Sequence, residues 1–180
     1  MKFNKKDRKA QVMSMPFVMI FSIILIAITI YVGFIAIRGF LENADRIKVA
    51  AFVNDFKSDV NTLWQATSAS RSYSYDLPSK IEKACFVNFA SPLTNTSLKP
   101  LFDEFKRLSR SQQNNLFLAP SSFITGLQLP AAYKIDCGET TKVECLDLGN
   151  LPNPYCIQAE KGTVKIELLK EGKTVKIVKK

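Results

Sequence analysis

Apolar and polar positions divide this chain into two regimes. From Val12 to Ile37 no charged side chain interrupts the sequence. About 20 apolar residues of helix cross a bilayer core, so this run is long enough to span one with tilt. Beyond Arg38 the pattern becomes one-sided. Apolar residues recur at Leu41, Ala44, Ile47, Ala51, Phe52, Phe56, Val60, Leu63 and Trp64, mostly three or four apart. Glu42, Asp45, Lys48, Asp55 and Asp59 form the polar face. No proline intervenes between Pro16 and Pro78. The pattern predicts one nearly continuous helix from about Val12 to about Ala66, on the order of 80 Å long, with Gly39 its most flexible point.

From Ser68 the apolar period shortens toward two. Alternation at Tyr73, Tyr75 and Leu77 predicts a first strand, and the aromatic and β-branched run Ala84 to Phe89 a buried one. Residues 78–83 form a turn or short helix. After a loop at Pro92 to Ser97, Leu98, Leu101, Phe102, Phe105 and Leu108 mark a second helix to Ser109, capped by Ser97 with Pro100 in its first turn. Strands are predicted at Asn115 to Ala119, Phe123 to Leu129 and Ala132 to Cys137. Leu148 to Pro154 is turn-rich. The clearest β signal lies at Tyr155 to Ala159, Thr163 to Leu169 and Thr174 to Val178, joined by turns at 160–162 and 170–173. Val164, Ile166 and Leu168 face in there, and the lysines face out and guard a sheet edge. The expected fold class is α+β: a long N-terminal helix, membrane-spanning in its first half, packed on a small, mostly antiparallel β-sheet domain. The expected divisions are a basic leader (1–10), a transmembrane helix (11–38), an amphipathic continuation (39–67) and an extracytoplasmic α+β domain (68–180).

Charge sets the orientation. Lys2, Lys5, Lys6, Arg8 and Lys9 crowd the leader, whereas residues 38–57 carry only Arg38, Arg46, Lys48 and Lys57. Positive charge stays on the cytoplasmic side, so the N-terminus is expected inside and the C-terminal domain outside a cell membrane crossed once. The formal net charge is +9. Its lysines alternate with apolar residues along strands, which reads as a solvated face, and no nucleic-acid partner is expected.

All four cysteines, Cys85, Cys137, Cys145 and Cys156, lie beyond the apolar run. In an extracytoplasmic domain they imply two disulfides with three pairings open; Cys137–Cys145 as a local staple with Cys85–Cys156 as a long-range bridge is favoured. The chain contains no histidine, which excludes Ser-His-Asp, Cys-His and mixed Cys/His zinc sites. Asp103, Glu104, Asp136, Glu139, Glu144 and Asp147 are scattered among lysines and read as solvated charge. No catalytic residue, metal site or cofactor is expected. Asn95-Thr96-Ser97 makes Asn95 a candidate N-glycosylation acceptor.

The sequence Arg8-Lys9-Ala10-Gln11 just before the apolar run resembles the class III signal of archaeal type IV pilins. The resemblance implies that a prepilin peptidase cuts between Ala10 and Gln11 and leaves the apolar helix as anchor. An ordinary uncleaved signal anchor shares the same basic flank. Many pilins carry a glutamate at the fifth mature position, where this chain has Met15 followed by Pro16. Residues 84–180, with Cys85-Phe86-Val87-Asn88-Phe89 and Asn153-Pro154-Tyr155-Cys156-Ile157, also resemble membrane-anchored archaeal proteins, a likeness that implies no biochemical activity. The leading expectation is a pilin or pseudopilin-like structural subunit whose partners are the lipid bilayer, the peptidase and further copies of itself. Ile20, Ile24, Ile28, Val32 and Ile35 offer faces for neighbours or lipid, and Ser22, Thr29, Gly33 and Ala36 permit close helix approach. The alternative is a single-pass anchored binding module that does not polymerise.

Overall fold

A computed structural model describes residues 8–94, 96–109, 113–136 and 146–178, with side chains from Phe17 onward. Helix α1 runs from Arg8 to Gln65 and passes Gly39 without a break. Contacts divide the chain into a unit ending at Asn43 and one beginning at Ala44. Among the described residues the first unit is helix alone. The second holds the end of α1 and every described strand.

From Ala44 onward α1 buries Val49, Phe52, Phe56, Val60 and Leu63. Their spacing of three and four residues keeps them on one face. The expected stripe included Ile47 and Ala51, and both are exposed. At 3.6 residues per turn Ile47 sits about 180° round the helix from Phe56, so the sequence pattern had merged two faces. Val49, on the correct face, was missed.

Among the described residues, eight strands form two four-stranded sheets rather than one. The first sheet contains β1 (Ala69–Asp76), β7 (Thr163–Glu171), β8 (Thr174–Val178) and β5 (Leu146–Asp147), ordered β1-β7-β8-β5. Its pairs are antiparallel except β5 with β8. The second contains β4 (Ala132–Tyr133), β3 (Leu116–Ala119), β2 (Lys83–Phe86) and β6 (Tyr155–Gln158), ordered β4-β3-β2-β6 and antiparallel throughout. The connections β1–β2 and β6–β7 run side by side. The Leu77 N–H donates to the Gly162 carbonyl at 2.7 Å, and the Ala159 N–H to the Glu82 carbonyl at 2.8 Å. These bonds stitch the two sheets where the chain passes between them.

Several expected elements are corrected. Residues Phe123 to Leu129 are not a strand: α3 covers Ser121–Gly126. Ile124 and Leu127 are both buried, a spacing of three that suits a helix, and the Thr125 hydroxyl donates back to the carbonyls of Ser121 and Ser122. Strand β4 stops at Tyr133, and Asn115 replaces the next rung with its side chain. Its amide donates to the Ile135 carbonyl at 3.0 Å and accepts from the Ile135 N–H at 2.8 Å. Helix α2 spans Lys99–Leu108 and is entered through a 3-10 turn at Thr96–Leu98, so Leu98 rather than Ser97 is its N-cap. The turn-rich stretch after Leu148 follows β5, which the sequence pattern did not reveal. Strand β7 runs on to Glu171, which pairs with Thr174, so the turn is shorter than expected. Lys170 therefore continues the inward face of Val164, Ile166 and Leu168. It is 5% exposed, with its ammonium 3.8 Å from the centre of the Trp64 ring.

One core unites both sheets with α1. Tyr75 of β1 packs edge-on against Phe52 at 5.4 Å and Phe56 at 5.8 Å, and Phe86 of β2 lies 5.5 Å from Phe56. A smaller cluster of Cys85, Val87, Phe105 and Phe117 seats α2 on the far side of the second sheet, with Phe105 stacked on Phe117 at 4.4 Å.

Gly162 sits at φ +80, and a Cβ there would lie 2.9 Å from the Leu77 carbonyl oxygen. Gly172 shares a positive φ of +58 but faces open space. Gly162→Ala is expected to destabilise the domain by about 2–3 kcal/mol and Gly172→Ala by about 1 kcal/mol. Denaturant midpoints of the two variants check the difference, and equal shifts contradict it.

Candidate functional site

The chain's most unusual surface is the apolar part of α1. Among the described residues, every large hydrophobic side chain that is strongly exposed lies between Phe17 and Ile47. Ile23, Leu25 and Ile26 are exposed at 64%, 46% and 58%. Successive residues point about 100° apart, so this segment is apolar all round. A helix of that kind is covered by protein or by lipid. It is long and apolar enough to cross a membrane, and none of its most apolar stretch is buried within the chain.

Two of its hydroxyls are satisfied internally. The Ser22 hydroxyl donates to the Val18 carbonyl at 2.8 Å and the Thr29 hydroxyl to the Ile26 carbonyl at 2.9 Å. A hydroxyl without a partner is costly in hydrocarbon, so these bonds suit an apolar solvent. At the end of the uncharged run the Arg38 guanidinium lies 4.2 Å from the Phe34 ring centre. This is the expected backward lean of a helical side chain, and it gives the first charge after the uncharged run an aromatic partner. Ala10 and Gln11 lie in the first turns of α1.

Within the domain, Cys85 and Cys156 are joined by a disulfide that closes a separation of 71 residues. They sit directly opposite each other on β2 and β6, with Cys85 fully buried. Loop closure on that scale is worth about 4 kcal/mol in the chain-entropy model. Cys137, Cys145 and Asn95 lie outside the described residues, as do Glu139 and Glu144.

The remaining carboxylates do not converge. Asp103 pairs with Lys99 at 3.2 Å and Asp136 with Lys134 at 3.0 Å. Glu104 accepts from the Ser121 hydroxyl, and Asp147 from the Gly149 N–H at 2.9 Å. Among the described residues no three Asp, Glu, Cys or His side chains gather where a metal ion could sit. An open groove between Leu148–Leu151 and the ends of β7 and β8 contains one carboxylate, Glu171. It is ion-paired to Lys176 at 2.6 Å, a bond that raises the Lys176 pKa.

Asn153 is a structural centre that sequence reasoning missed. It is 3% exposed. Its side-chain amide donates to the carbonyls of Asn88 at 2.6 Å, Ser91 at 3.1 Å and Pro92 at 3.4 Å, while its side-chain oxygen accepts from the Asn88 N–H at 3.1 Å. The Thr94 N–H donates to its carbonyl at 3.1 Å. One side chain thus fixes the loop that leads toward Asn95. The only signal was an Asn-Pro beside a cysteine, which reads equally well as a turn.

Burial raises the pKa of Tyr133 to about 12. Burial also raises Tyr75, helped by the 2.7 Å bond its hydroxyl donates to Asp59. Both phenols keep their protons in the fold longer than in the unfolded chain, where they titrate near pH 10. Their contribution to stability is complete below about pH 10 and is lost as pH rises toward and through 12. Thermal melts between pH 9 and 12 are expected to fall, and Tyr133→Phe to flatten part of that fall; an unchanged slope contradicts the assignment. Asn153→Ala is expected to cost about 2–4 kcal/mol and to speed proteolysis within residues 88–94, whereas the same cleavage rate in both proteins contradicts the clamp.

Compared with protein-family models, curated proteins and solved structures, the chain matches none.

Proposed function

We propose that this chain is a membrane-anchored surface structural protein, a pilin-like subunit without catalytic activity. The observation that carries this reading is the confinement, among the described residues, of strongly exposed large apolar side chains to Phe17–Ile47, on the same helix whose next turns form the core of the folded domain. A secreted domain needs no such rod, and a simple tether needs no such continuity. In this reading the basic leader stays in the cytoplasm, the peptidase cuts before Gln11, and the domain works outside. The Cys85–Cys156 disulfide suits an oxidising compartment. Lipid covers the apolar helix before assembly, and neighbouring copies cover it afterwards. The Asn95-Thr96-Ser97 acceptor triplet then lies on the translocated side.

A second reading, an anchored binding module that does not polymerise, is favoured by one residue. Met15 occupies the position where many pilins carry a carboxylate, so an assembly route through that charge is closed to this chain.

Processing and topology are tested together. Intact mass of the native protein is expected to begin at Gln11, and Ala10→Leu to retain the leader. Protease added to intact cells is expected to digest the region after Ala44. Protection in intact cells but not in lysed ones sinks the topology. Gold label on a C-terminal tag should decorate threads if the subunit assembles, and an even spread over a smooth envelope favours the second reading.

A further inference from the structure

The two sheets have four edges among the described residues, and three of them are short. Strands β4 and β5 are two residues long and β6 is four. Shortness is one way that proteins keep an edge from pairing with another chain. Strand β1 breaks this pattern. It runs eight residues, in unbroken register against β7 from Ala69 opposite Lys170 to Asp76 opposite Thr163. It contains no proline, lysine or bulge to guard it. Among the described residues no hydrogen bond from outside the β1–β7 ladder reaches its backbone. Ser70, Arg71, Ser72 and Ser74 are exposed, and Arg71 forms no ion pair with a described residue.

We propose that β1 pairs antiparallel with β1 of a second copy, about a two-fold axis through Ser72. In such a pair, residues that meet lie on the same face of the joined sheet. Centred on Ser72, Ser70 of one copy meets Ser74 of the other, hydroxyl to hydroxyl on the outer face. Arg71 meets Tyr73 on the inner face, a guanidinium beside a half-buried ring. Neighbouring registers are worse. Centred on Arg71, two guanidinium groups collide. Centred on Tyr73, Arg71 meets Tyr75, whose ring is 6% exposed and already packed against Phe52 and Phe56. The alternation of serine with Arg71, Tyr73 and Tyr75 is therefore complementary to itself in one register. The pairing serves a polymerising subunit and a non-polymerising module alike, so it stands or falls apart from that choice.

Cysteine cross-linking of the full chain in detergent tests both contact and register. Ser72→Cys is expected to give a reducible dimer under mild oxidation, above the baseline of the unaltered chain. Ser70→Cys and Ser74→Cys are each expected to remain largely monomeric alone and to cross-link when mixed. Lys165→Cys, one strand in from the edge on the same face, is the control. Ser72→Lys, which sets two ammonium groups on the axis, is expected to shift the otherwise unaltered chain toward monomer in sedimentation. The proposal is overturned if Ser72→Cys stays monomeric, if Lys165→Cys links as readily, or if the Ser72→Cys variant links to a different protein instead of to its own copy.

Discussion

Phe56 is the point through which this fold is held together. Its ring meets Tyr75 from one sheet and Phe86 from the other, and it is fully buried. Neither sheet closes a core by itself. The inward residues of the first sheet, Val164, Ile166, Leu168, Val175 and Ile177, belong to the same cluster as Phe86, Leu116 and Leu118 of the second, together with the buried stripe of α1. Removing a buried phenylalanine side chain typically costs about 3–5 kcal/mol, a large share of the roughly 5–15 kcal/mol that holds a typical domain together. The helix is therefore part of the domain from Ala44 onward and is more than a stalk beneath it.

The same helix has two kinds of surface along its length. None of its most apolar stretch is buried within the chain, whereas from Val49 onward one face is buried. Upstream, apolar side chains point outward on all sides and the Ser22 and Thr29 hydroxyls bond to their own backbone. Downstream, only one face is apolar, and the other presents Asn54, Lys57 and Ser58 to water. The change from all-round to one-sided apolarity divides one helix into a stretch long and apolar enough to cross a membrane and a stretch that packs into the core. The uncharged run sets the extent of the first stretch, and the three-four spacing of Val49, Phe52, Phe56, Val60 and Leu63 sets the second.

Features with a strong local period were legible in the sequence. The uncharged run and the alternation of Val164, Ile166 and Leu168 each specify an element without help from distant residues. Features decided by distant partners were not. Ile124 and Leu127 suit a strand or a short helix until the neighbouring core chooses between them. Lys170 looks like a turn lysine until Trp64, which precedes it by most of the domain, supplies a ring for its ammonium to sit on. The division into two sheets is invisible because strand composition does not record strand order. Asn153 was hidden for a related reason: its acceptors are the backbone carbonyls of a remote loop, and carbonyls carry no sequence signature.

The second sheet explains why the disulfide and the asparagine clamp lie where they do. Strands β2, β3 and β6 have only four residues each, and β4 only two, so their ladders supply few cooperative hydrogen bonds. The cluster beneath α2 is small, with Cys85, Val87, Phe105 and Phe117 as its buried members. Small cores stabilise weakly and are commonly reinforced by covalent ties. Here the Cys85–Cys156 bridge ties the edge strand β6 to its neighbour β2. Asn153 then fixes the loop after β2 from the segment just before β6. Both devices act at the same pair of strands, one through a covalent bond and the other through buried hydrogen bonds. The first sheet, built on the nine residues of β7 and on the buried face of α1, has no comparable brace among the described residues and depends on apolar packing instead.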